Sequence, residues 1–152
     1  MCDKELSMRD DIRTIKELYA AAEGDGLDVA RFVSCFSEDA YVRDVPTETE
    51  FRGSDIALVA EGMARAFPDI HRELFSIYRM EDVIVVELAL RGTHRGVLVT
   101  PAGTIPATGN SIDVPCCDVF HMRDGKIVSF HCYNAASILQ RQLGLADSRN
   151  AS

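Results

Sequence analysis

The 152 residues carry 24 Asp and Glu against 16 Lys and Arg, a formal net charge of −8 at pH 7. So acidic a chain lacks the basic footprint a phosphate backbone requires, which excludes sequence-independent nucleic-acid binding and argues against an anionic membrane surface. Apolar residues make up 47% of the chain, yet no run nears the ~18 needed to span a bilayer, so a soluble single domain over 1–152 is expected, with 1–8 and 145–152 as frayed tails.

The opening MCDKELSMRDDIR is charged and lacks the apolar stretch of a secretory leader. With five cysteines in no CxxC arrangement (Cys2, Cys35, Cys116, Cys117 and Cys132), it points to free thiols and a cytoplasmic location. No Cys/His set has zinc spacing, and phosphate-cradling glycine loops, a GxSxG elbow and a nucleophilic-cysteine signature are all missing, so neither metal nor cofactor is expected.

In chain order, RDDIRTIKELYAAAE (9–23) sets Ile12, Ile15, Leu18, Tyr19 and Ala22 on one helix face. A short helix at about 28–35 turns Val29, Phe32 and Val33 inward, and FSEDAYVRDVP reads as turn plus strand. TETEFRGSD is a loop whose Ser54 or Asp55 caps a helix over 56–66, stopped by Pro68. HRELFSIYRM and VIVVELALRGTHR are strands, VTPAGTIPATGN is a long loop, and AASILQRQLG is a closing helix.

Between the last two lies 110–134, where β-branched and aromatic runs flank Arg123-Asp124-Gly125-Lys126. Asp-Gly is a strong hairpin signal, and a two-residue type I′ turn opposes Met122 to Ile127, Phe120 to Ser129, Asp118 to His131 and Cys116 to Tyr133. One face then carries Ile112, Val114, Cys116, Asp118, Phe120 and Met122 beside Ile127, Ser129, His131 and Tyr133. That face is largely apolar and holds an acid opposite an imidazole. The other face pairs Cys117 with Cys132 and shows Val119, Val128 and Phe130, an apolar outer surface that predicts a homodimer.

Helices early and antiparallel strands late imply an α+β fold, with helices packed on the concave face of a curved sheet around an apolar pocket. FPD at 67–69, RGTHRG at 91–96, PATGNSI at 106–112, DVFHMRDGKIV at 118–128 and LQRQLG at 139–144 together resemble the SnoaL-like polyketide and ester cyclases of the nuclear transport factor 2-like superfamily. The resemblance covers about residues 9–144. It implies a cone-shaped, cofactor-free, often dimeric protein with a deep apolar pocket, and intramolecular aldol ring closure of an aromatic polyketide. The acid that such relatives use near the start of the last helix falls here on Asn134 or Ala135, neither of which exchanges protons near neutral pH.

The residues themselves nominate Asp118 and His131 as a proton-shuttling unit, since a carboxylate beside an imidazole sets its charge or tautomer. His94 shares parity with Val86, Leu88 and Leu90, against Glu87, Arg91, Thr93 and Arg95, and so points inward as a third catalytic candidate. Tyr133 and Tyr41 are candidates to bind substrate oxygens, Asn134 to orient the ligand, and Phe120, Met122 and Cys116 to line its pocket. A structural role competes at each position: a buried ion pair for Asp118–His131, a satisfied core histidine for His94, and a helix cap for Asn134. The expected function is cofactor-independent cyclisation or isomerisation of a hydrophobic polyketide- or terpenoid-like intermediate. Epoxide opening by hydrolysis or cyclisation, and non-catalytic binding of an apolar ligand, are the alternatives.

Overall fold

The computed structural model describes residues 2–145. Helix α1 (Cys2–Ala21) lays Ile15, Leu18 and Tyr19 into the core, as their helical spacing requires, and begins seven residues before the expected start, inside the segment read as a tail. Residues 146–152 of the other expected tail lie outside the described residues. Short α2 (Val29–Ser34) is capped by Asp28, whose side chain accepts the Arg31 amide, and α3 (Ala57–Ala66) ends just before Phe67-Pro68. Helix α4 is Ala136–Gln142.

Six strands form one open sheet: β1 (Phe36–Asp44), β2 (Thr49–Arg52), β3 (His71–Met80), β4 (Val83–Thr93), β7 (Ser111–Arg123) and β8 (Lys126–Asn134). Their spatial order is β2-β1-β8-β7-β4-β3, with β1 and β8 parallel and every other neighbouring pair antiparallel. The segment expected as a loop at 47–55 contains β2, which pairs with β1 from Tyr41–Arg52 to Asp44–Thr49. The loop expected over 99–110 likewise contains most of a small hairpin, β5 (Leu98–Thr100) with β6 (Gly103–Ile105). The inner face of the main sheet carries Ile84, Val86, Leu88, Val114, Phe120, Met122 and Ile127, all buried against the helices.

The β7–β8 turn is the one its sequence specifies. Asp124 and Gly125 both take positive φ, 52° and 74°, and Arg123–Lys126 and Met122–Ile127 pair as expected. Beyond them the register slips by one. Val128 has no partner in either ladder, so His121 opposes Ser129, Phe120 opposes Phe130, Val119 opposes His131 and Asp118 opposes Cys132. The cause lies across β8: the Ile127 amide donates to the Cys35 carbonyl, 2.9 Å, where β1 begins, and the strand must bulge to satisfy both neighbours. A one-residue slip exchanges the two faces of a strand. Phe130 and Cys132 therefore face inward, Phe130 packing 4.4 Å from Phe120 centroid to centroid, while His131 and Tyr133 face outward.

Candidate active site

Three of the sequence motifs converge on His94. Asp69 of FPD accepts the Thr93 amide at Oδ1 (2.7 Å) and the Thr93 hydroxyl at Oδ2 (2.9 Å). The Arg95 and Gly96 amides both donate to the Ala66 carbonyl at 3.1 Å. On the other side, the His94 amide donates to the Asn110 carbonyl and its own carbonyl accepts from the Gly109 amide. The histidine backbone is thus clamped between the end of α3 and the 106–110 segment, and Phe67 lies 5.3 Å from the imidazole, centroid to centroid.

The side chain is held as tightly. His94 is fully buried, and its Nδ1 accepts the Thr108 backbone amide at 3.1 Å with the Thr108 hydroxyl 3.0 Å away. A backbone N–H can only donate, so Nδ1 is an acceptor and the ring proton sits on Nε2. Nε2 has no hydrogen-bond partner among the described residues. Leaving such a donor unsatisfied costs about 1–3 kcal/mol, so a buried donor of this kind is met by an ordered water or a bound group; Arg79 Nε is the other such atom among the described residues. His94 points inward as its parity implies. Thr108 and Asp69, which hold it, were not singled out among the site candidates, although both lie inside the motifs that carry the resemblance.

Asp69 itself is exposed, and the Thr93 amide it accepts holds its carboxyl below the ordinary 3.8. A carboxyl depressed on folding contributes stability above its unfolded value and loses that contribution as pH falls through its folded value. The stability difference between wild type and Asp69→Asn is therefore expected near neutral pH and should vanish as the solution is acidified below that range. Thermal melts across a pH series check this.

A second polar group lies under the middle of the sheet. The Tyr19 hydroxyl of α1 donates to Asp118 Oδ2 at 2.7 Å, and the Cys116 thiol donates to Oδ1 at 3.2 Å. Cys132 Sγ is 3.7 Å from Cys116 Sγ and accepts from Asn134 Nδ2 at 3.4 Å, and that amide also donates to Asp44 Oδ1 at 2.7 Å. Burial pushes the Asp118 carboxyl up, against hydrogen bonds from Tyr19, Cys116 and Cys132 and the charge of Arg72. Tyr19 is raised by burial and then by Asp118; Cys116 is raised by its contact with Cys132, then by burial. Arg72 is buried here as well, donating to the Ala22 carbonyl at 2.7 Å.

The expected union of Asp118 with His131 does not form. The bulge at Val128 puts the two on opposite faces, and His131 Nε2 instead lies 2.9 Å from the Tyr41 hydroxyl on the outer face. Tyr41 is covered there by the Arg52 guanidinium, and Tyr133 is exposed beside Cys117. Neither tyrosine faces the interior, contrary to the substrate-contacting positions expected for them. Phe120, Met122 and Cys116 are buried on the inner face as expected, and Asn134 bridges Asp44 and Cys132 there. The expected Cys117–Cys132 pairing gives way to Cys116–Cys132 for the same reason.

An open mixed sheet over helices, with a buried carboxylate on its inner face and a clamped histidine just past the end of β4, has the architecture of the ketosteroid isomerase-like, nuclear transport factor 2-like fold. The chain resembles solved structures of that architecture: a protein named as a SnoaL-like polyketide cyclase from Jannaschia sp. CCS1 (15% identity, 91% of this chain and 94% of the other, TM-score 0.78); one with a ketosteroid isomerase-like fold from Catenulispora acidiphila DSM 44928 (19%, 88% and 93%, 0.72); and IdmH, named as a polyketide cyclase, from Streptomyces antibioticus (22%, 89% and 99%, 0.71). The model of the SnoaL-like domain family matches residues 15–130, and the chain belongs to that family. No curated protein matches it. No described helix is long and apolar enough to cross a membrane.

Proposed function

We propose that the protein is a cofactor-independent cyclase or isomerase of a hydrophobic, polyketide- or terpenoid-like intermediate, with His94 as its electrophile. The observation that carries this reading is the buried Nε2–H, which has no hydrogen-bond partner among the described residues, on a ring whose other nitrogen is fixed by the Thr108 amide. Such a donor stabilises negative charge developing on a carbonyl oxygen as an enolate forms, without itself needing to ionise. Family membership and neighbours named as polyketide cyclases support the reaction class. Free Cys35, Cys116, Cys117 and Cys132 support a reducing, cytoplasmic setting.

The test is turnover of aromatic polyketones carrying a side-chain methylene nucleophile, followed as a mass-neutral shift in chromatographic retention. His94→Gln should lower kcat by about 10²–10³, the cost of one oxyanion donor. Wild-type rates in that variant would remove His94 from the chemistry. Uptake of labelled water oxygen would favour epoxide hydrolysis instead. One observation favours the non-catalytic binder: both Asp118 oxygens are engaged inside the protein, which leaves that carboxylate no free acceptor. Ligand retention without turnover of any probe would support that alternative.

We also propose a homodimer through the outer face of the sheet: Phe130 and Cys132 of the patch expected there turn inward, but Phe75, Tyr78, Tyr133 and Met80 (74% accessible) are exposed. Light scattering should give twice 16.8 kDa at micromolar concentration; a monomer would contradict it.

A further inference from the structure

We propose that Cys116, Asp118 and Cys132 bind one zinc-class divalent cation. The two sulfurs and a carboxylate oxygen all lie within 4.8 Å of one another, with Sγ–Sγ 3.7 Å and Cys116 Sγ–Asp118 Oδ1 3.2 Å. A tetrahedral zinc with Zn–S of about 2.3 Å and Zn–O of about 2.0 Å holds its sulfurs about 3.8 Å apart and sulfur and oxygen about 3.5 Å apart. Two of the three separations already stand near those values and the third lies within 4.8 Å, on two adjacent strands of the main sheet and not on a loop.

The donor set selects the ion. Two thiolates favour zinc over magnesium or calcium, and three protein ligands leave a fourth position of the tetrahedron open. Outer partners are in place: Tyr19 fixes Asp118 Oδ2, and Asn134 fixes Cys132. A dication, two thiolates and Asp118 sum to −1, beside the Arg72 guanidinium that Asp118 shares with Glu23. Without a cation, the same three groups leave two thiols and a carboxylate in mutual contact in the core. Cys116-x-Asp118 and Cys132 show no metal spacing in the sequence; the bulge at Val128 alone brings Cys132 to Asp118.

The experiment adds cobalt(II) to the full chain, reduced with a non-thiol phosphine. One equivalent is expected to bind, with thiolate-to-cobalt charge-transfer absorption in the near ultraviolet and the intense visible bands of a tetrahedral site, both abolished by one equivalent of zinc. Cys132→Ser, at a half-buried position where the smaller hydroxyl is tolerated, should lose the charge-transfer band. It should also bind cobalt more than about tenfold more weakly, because a lost ligand costs more than a lost outer partner. Cys117→Ser, on the outer face, should leave both unchanged. Circular dichroism of each variant separates lost binding from lost folding, and Cys132→Ala repeats the test if the serine variant does not fold. No band in the wild type, or a band that survives in Cys132→Ser, overturns the proposal. The site does not depend on the reading of His94, and His94→Gln should keep the full cobalt spectrum.

Discussion

Gly96→Ala is expected to destabilise the protein by about 3 kcal/mol, at the upper end of what overpacking of a filled site costs. A Cβ at position 96 would stand 1.9 Å from the Arg65 carbonyl oxygen, and backbone on both sides leaves no flexible side chain to yield. Relief requires separating the 94–96 segment from the end of α3, which breaks the paired bonds from Arg95 and Gly96 to the Ala66 carbonyl. The loss falls on the clamp that orients His94, so activity should fall further than stability alone accounts for. Gly62→Ala provides the contrast. That glycine lies inside α3 with nothing within 4 Å of a new Cβ, and the substitution should stabilise by about 0.5–1 kcal/mol. Chemical denaturation of both variants checks the opposite signs.

Asp118→Ala is expected to cost about 3 kcal/mol or more, as removal of a buried charge partner does. It strands the Tyr19 hydroxyl and the Cys116 thiol and deprives Arg72 of a nearby carboxylate. His131→Gln should cost less than about 1 kcal/mol, since that ring sits on the outer face beside Tyr41. The double variant should equal the sum of the two within about 0.5 kcal/mol, as for residues that share no partner. Strong non-additivity would restore the coupling that an unbulged hairpin implies.

The contrast between these residues shows what the sequence discloses. Helical spacing placed Ile15, Leu18 and Tyr19 in the core, strand parity placed His94 inward, and Asp124-Gly125 specified its turn, because each depends on a few neighbouring residues. The face of His131 depended on something remote: a hydrogen bond from Ile127 to Cys35 on another strand. No local pattern encodes that bond, and one extra residue at Val128 was enough to move Cys132 inward and His131 outward. Tyr19 was legible as core but not as the donor to Asp118, 99 residues away. The His94 clamp was present in the motifs FPD, RGTHRG and PATGNSI. Only the fold shows that all three serve one imidazole.

The role of His94 is tested most directly by its tautomer, read from two-bond nitrogen–proton correlations of the imidazole in the labelled protein. A proton is expected on Nε2 and none on Nδ1, with the Nε2–H signal shifting on addition of a polycyclic ketone and the Thr108 amide still bonded to Nδ1. A proton on Nδ1, or an Nε2–H unmoved by every ketone that the protein binds, would contradict it.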